Sequence, residues 1–304
     1  MYQSQRQLLV VLVCLLLGSA AGYAQQPSDE TVRVDTDLVV LNVTVIDHSG
    51  QYVKGLKRED FKIFEDGKEI PATLISSFNL QEMPFASVVL LDTSGSMESR
   101  LSLARSAAIR FLDGLRDEDV AAVFKFDTKI EKLQDFSSGR DLAPLAYSAK
   151  AHGMTVLNDA IIKAASELAE RPERRKAIVV LSDGADTFSK ATSGKALDIA
   201  LAAGASIYTV DMSATDGVAS RDTQSAMALR NFAEKTGARF IATPGGQALR
   251  DAFANIADEL GHQYTLAYKP TNRARDGKWR SVEVKVSHED ATARTRKGYH
   301  APKS

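Results

Sequence analysis

The chain has 304 residues, 44% of them apolar and 25% charged, with a formal net charge of −1 at pH 7. That balance excludes a disordered or fibrous chain, and no global field points to a nucleic-acid partner. The length suggests about two domains of ordinary size.

At the start, Arg6 precedes an apolar run from Leu8 to Leu17, too short to cross a bilayer as a helix. Small residues follow from Gly18 to Gly22, and Ala24 closes a G-Y-A stretch suited to signal peptidase. Residues 1–24 are therefore expected to be a secretory signal. The mature protein is expected in the periplasm or outside the cell, with no membrane span of its own. The only cysteine, Cys14, lies inside that run, and Val13 stands where a lipoprotein signal needs a small residue. Once the signal is removed the chain has neither disulfides nor thiolates, so any metal must be held by oxygen or imidazole.

Residues 31–80 read as the first part of a β-sandwich. Val32, Val34 and Leu38 to Ile46 alternate or run apolar, D-H-S-G at 47–50 is a turn, and short apolar pieces recur at 52–53, 61–64 and 74–75. From residue 83 to 262 the texture changes. Ala86 to Leu91 and Ala177 to Leu181 are continuous apolar runs of strand length, the pattern of strands buried on both faces. Helical spacing over 98–115, at Leu157 to Leu168 and over 193–203, 224–235 and 246–260 alternates with strands at 120–126, 206–210 and 239–242, with 130–133 as a hairpin partner. This predicts a doubly wound α/β domain, a mainly parallel sheet with helices on both faces. Residues 263–300 return to β, with strands at 264–268, 282–286 and 291–296. Neither β-rich end is large enough alone, so the two are expected to share one small β-sandwich.

Ligands of open α/β sheets bind beyond the carboxyl ends of the strands. The first buried strand ends in D-T-S-G-S, which puts Asp92, Ser94 and Ser96 at alternate positions of a tight loop turned by Gly95. One carboxylate and two hydroxyls are ligands that hard cations such as Mg²⁺ take. The second apolar strand ends in L-S-D-G with Asp183, and H-G-M-T at 152–155 brings the hydroxyl of Thr155. Adjacent strands lie about 5 Å apart, so Asp92 and Asp183 can share one ion.

D-T-S-G-S at 92–96, Thr155 in G-M-T-V-L-N-D-A and Asp183 in L-S-D-G together resemble the three-part metal-ion-dependent adhesion site of von Willebrand factor A domains. The resemblance covers about residues 83–262. The flanks, with D-F-K-I-F-E-D-G-K at 60–68 and Y-H at 299–300 after R-K-G, resemble secreted VWFA-related domain proteins of acidobacteria. The resemblance implies one divalent ion per chain, Mg²⁺ or else Mn²⁺ or Ca²⁺. It implies direct ligation by Ser94 and Ser96, state-dependent ligation by Thr155, and Asp92 and Asp183 acting largely through water. The sixth position is left for a Glu or Asp of a protein partner.

Each residue has a plainer reading beside this one. Ser96 and Thr155 can cap helices, and the D-G at 183–184 is a common turn. Asp127, Asp159, Asp186 and Asp211 read as nearer to background; the last two lie after strand ends and could tune charge near the site, with solvated surface as the plainer reading, and the five histidines lack ligand spacing. His152, close to Thr155, is placed at the rim. The Phe and Tyr residues read as core. A phosphatase using Asp92 as nucleophile needs a second acid two residues on, where Ser94 stands. Neither a G-x-S-x-G elbow nor a phosphate-cradling loop occurs, so an enzyme is not expected. A module in which the metal only stabilises loops is the remaining rival to binding.

Overall fold

Alternating apolar residues at Val39, Leu41, Val43 and Val45 make the first strand, β1 (Val39–Ile46), with all four buried on one face. A computed structural model describes residues 38–79, 83–140, 150–213, 224–242 and 246–303; the expected signal, Val32 and Val34 lie outside them. After β1 come β2 (Phe61–Glu65), β3 (Lys68–Glu69) and β4 (Ile75–Asn79). The α/β part then runs β5 (Phe85–Asp92), a 3-10 segment (Gly95–Arg100), α1 (Leu101–Asp113), β6 (Val120–Phe126), β7 (Ile130–Ser137), α2 (Leu157–Ala169) and β8 (Arg175–Ser182). It continues through α3 (Ser193–Ala202), β9 (Ala205–Asp211), α4 (Gln224–Thr236), β10 (Phe240–Ala242) and α5 (Gly246–Gly261). The chain closes with β11 (Tyr264–Tyr268), β12 (Trp279–Val286), β13 (Thr292–Arg294) and β14 (Gly298–His300).

Six strands form the central sheet in the order β10-β9-β8-β5-β6-β7. All neighbours are parallel except β6 and β7, the expected hairpin at the edge. The fully apolar run of β5 lies between β8 and β6, buried at every position. Its alternate residues feed two separate cores. Val89 and Leu91 pack with Phe111 of α1 and Phe253 of α5, whereas Val88 and Leu90 pack with Ile161 of α2, Ala196 of α3 and Phe232 of α4. Helices on both faces are thus the consequence of strands apolar on both sides.

Strands from the two ends of the chain pair with one another. One sheet has the order β13-β1-β11-β4 and the other β14-β12-β2-β3, all antiparallel. Leu41 faces Leu266 in the first and Ile63 faces Val284 in the second. These side chains share a single core with Tyr264 and Tyr268, so neither flank could bury its apolar face without the other.

Two buried polar hubs join this sandwich to the α/β part. Glu259 of α5, 1% exposed, accepts hydrogen bonds from Tyr208 of β9 at 2.8 Å and Thr44 of β1 at 3.2 Å, and pairs with Arg294 of β13. Arg175, fully buried at the start of β8, donates to the carbonyls of Gln263, Leu260 and Met83 and to Thr265 Oγ1.

Three elements differ from expectation. The helical pattern over 98–115 divides, because residues 95–100 tighten into a 3-10 segment before α1 starts at Leu101. β3 and β14 were not expected. Lys68 and Glu69 are both exposed, and β14 spans only three residues, so neither carries an apolar alternation.

Candidate metal centre

The carboxyl ends of β5, β8 and β9 form the floor of the site. Residues 92, 182 and 211 lie side by side there: Leu91 pairs with Leu181 and Ser182 with Asp211. Asp92 is completely buried. Its Oδ1 accepts the Ser94 backbone N–H at 2.8 Å, and its Oδ2 accepts the Ser182 hydroxyl at 2.5 Å. The first bond folds the chain back just after the strand and brings Ser94 Oγ to 3.2 Å from Ser96 Oγ. The Ser94 hydroxyl makes no cap to the 3-10 segment that follows.

The loop carrying Thr155 is stitched to this turn by the backbone. The His152 N–H donates to Thr93 O at 2.9 Å, and the Gly95 N–H donates to Gly153 O at 3.2 Å. Gly153 is required there: its φ is +77°, and a Cβ would meet Thr128 Oγ1 at 2.4 Å. On the other side, the Thr187 and Phe188 N–H groups both donate to Thr155 O at 3.0 Å, tying Thr155 to the loop that follows Asp183. Gly184, at φ +79°, lets that loop approach α4, where a Cβ would meet Ser225 O at 2.7 Å.

Thr155 is buried and does not cap α2. Asp186 Oδ2 accepts the Asn158 N–H at 2.7 Å and Ser189 Oγ accepts that of Asp159 at 3.1 Å, so the first turn is satisfied from the loop after β8. The five expected residues thus sit on three loops joined to one another, with Asp92, Ser94 and Ser96 linked most closely. Asp183, half-buried, is near enough to Asp92 to oppose its ionisation.

The electrostatics of Asp92 are one-sided. Burial, more than any other cause, pushes its carboxyl up to about 6, against the hydrogen bonds from Ser182 and Ser94 and with the neighbouring charge of Asp183 acting in the same direction as burial. Among the described residues no ion pair includes Asp92 or Asp183. A buried carboxylate beside a second one, with no cationic partner among the described residues, is the arrangement a bound cation would neutralise. Among the described residues no group of three or more His, Cys, Asp or Glu could hold a metal. The set fits a hard ion through oxygen chemistry instead, with two carboxylates and three hydroxyls, and it does not suit zinc or copper.

Two aspartates read as background are part of this floor. Asp127, 3% exposed, accepts from Thr93 Oγ1 at 3.2 Å and lies 3.7 Å from His152 Nδ1. Asp211, read as solvated surface, is 1% exposed. Its Oδ1 accepts from the N–H and hydroxyl of Ser213, while its Oδ2 is buried with no hydrogen-bond partner. The signal available in the sequence was that Asp211, like Asp92, ends an apolar strand. Phe188, expected in the core, is 54% exposed. His152 is exposed.

The arrangement is that of an open α/β domain with an oxygen-lined site across adjacent strand ends. Residues 87–185 match the family model described as von Willebrand factor type A domain. No curated protein matches the chain. Among solved structures, the chain is similar to the PilB minor pilin from Streptococcus sanguinis, at 14% identity and TM-score 0.46, over 60% of this chain and 62% of the pilin. It is similar to a von Willebrand factor type A protein from Catenulispora acidiphila at 14% identity and TM-score 0.48, over 81% of this chain and 74% of that one. The pilus adhesin SpaC from Lactobacillus rhamnosus GG is similar at 12% identity and TM-score 0.49, over 84% of this chain and 49% of the adhesin.

Proposed function

We propose that the protein is an exported, metal-dependent protein-binding module, an adhesion or scaffold domain that captures an acidic side chain of a partner. Asp92, Ser94, Ser96, Thr155 and Asp183 would hold one divalent ion, Mg²⁺ being the best suited to hard oxygen donors. The ion, when bound, supplies a positive centre to which a partner's Glu or Asp can attach. The observation that carries this reading is the fully buried Asp92 with no cationic partner among the described residues. Export rests on the apolar run at 8–17 and the small residues that follow it.

The chain's own groups have separate tasks. Asp92 and Asp183 set the charge of the site, and Ser182 and the Ser94 N–H hold the Asp92 carboxylate in one orientation. Thr155 is buried on a separate loop whose backbone bonds run to both neighbouring loops, which places its hydroxyl as a third oxygen donor, the one the resemblance makes state-dependent. Ser94 stands where a phosphatase would need its acid, which leaves binding rather than catalysis.

The test is capture of proteins from the native cell envelope in Mg²⁺ and in EDTA, alongside metal affinity. Asp92→Ala should abolish metal uptake and capture together, whereas Thr155→Ala should weaken capture more than uptake. Capture that survives EDTA and both substitutions would move the binding surface to the sandwich. Metal uptake without any metal-dependent capture would reduce the ion to a loop stabiliser.

A further inference from the structure

Four large apolar side chains stand exposed among the described residues: Leu38, Met154, Phe188 and Met227. Two of them, Met154 and Phe188, border the loops of the candidate metal centre. Met154 directly precedes Thr155 and follows Gly153, whose carbonyl accepts the Gly95 N–H. Phe188 is held by its own N–H on the carbonyl of Thr155. Their exposures of 53% and 54% are high for residues of these types.

Nothing in the local packing asks for these residues. The turns that carry them are fixed by backbone bonds and by the polar side chains of Thr128, Thr187 and Asp186. A serine or glutamine would serve the fold as well at each position. Of the carboxylates around the centre, Asp186 and Asp159 are engaged with backbone N–H groups at 158, 189, 190 and 191, and the charge of Asp92 and Asp183 is what a bound ion would offset. Apolar side chains placed around a centre that accepts a carboxylate complement a ligand that is charged in the middle and apolar beside it.

We propose that this face recognises an acidic side chain flanked by apolar residues on a partner protein, with Met154 and Phe188 forming the apolar rim. The proposal rests on the metal-binding reading above. The acid supplies the attachment, and the rim selects the sequence around it. Methionine suits such a surface because its unbranched side chain can reshape around neighbours of different form.

The experiment selects peptides from a library random at every position, using the full mature protein in Mg²⁺. The expected result is enrichment of Glu or Asp at the centre with Phe, Leu, Met or Val beside it. A synthetic peptide of that kind should bind Phe188→Ser about tenfold more weakly, in line with burial of part of one aromatic ring. Mg²⁺ affinity of Phe188→Ser and Met154→Gln, read by calorimetry, should be unchanged. Enrichment of the acid with random neighbours, or peptide affinity indifferent to both substitutions, overturns the apolar rim and leaves the metal-binding reading standing. Selected peptides that lack an acid, or that bind equally in EDTA, overturn the metal-binding reading and this proposal with it.

Discussion

In the metal-free protein, Asp92→Asn should be stabilising near neutral pH. The substitution keeps the shape of the side chain, and an amide can still accept from the Ser94 N–H and meet the Ser182 hydroxyl. It removes the charge that burial opposes. Asp92 holds its proton up to about 6 when folded, against 3.8 for a free aspartate side chain, mainly through desolvation. The folded state therefore binds this proton more tightly than the unfolded one. Stability from this group falls as pH rises from about 4 to about 6 and stays lowered above that. The full difference is on the order of 3 kcal/mol, or a Tm change of roughly 6 °C for a chain of this size. Thermal melts in EDTA from pH 4 to 8 should show wild type and variant together at the acid end, and the variant ahead above pH 6. Excess Mg²⁺ should raise the wild type and leave the variant where it was. Superimposed profiles across the whole range would mean that the Asp92 charge carries no burial penalty, and the argument for a cation there would lose its support.

Other outcomes follow from the same contacts. Gly153→Ala should cost about 1–3 kcal/mol in denaturant unfolding, since it strains φ and drives a Cβ into Thr128; it should also weaken Mg²⁺ uptake by displacing the Thr155 loop. Glu259→Ala should cost about 3–5 kcal/mol by leaving Arg294 without its buried partner, and Arg294→Met in the same background should recover part of that loss. Deleting residues 263–303 removes β11 and β12, the partners of β1 and β2, so limited proteolysis should then cut within residues 38–79. An uncut N-terminal flank would show that the shared core does not hold it.

The parts of the fold that were legible were those where one face or both faces of an element are uniformly apolar. β5, β8 and β9 declared themselves because their runs are buried on both sides, and the α/β order followed from their alternation with helical spacing. β3 was illegible because two exposed charged residues carry no pattern, and β14 because its pairing depends on β12 rather than on its own residues. At the site, Asp92, Ser94 and Ser96 were readable because three oxygens fall within one tight turn. Asp127 and Asp211 were not, since burial of an aspartate is decided by neighbouring strands that sequence spacing does not place. Phe188 went the other way: its composition says core, but the loop that holds it is anchored by backbone bonds to Thr155 and leaves the ring outside.

The most direct measurement is calorimetric titration of metal-stripped protein with Mg²⁺, run beside Asp92→Ala. The account predicts binding of one ion per wild-type chain and no binding to the variant. No heat from the wild type, or the same heat from both, would contradict the metal centre on which the proposed function stands.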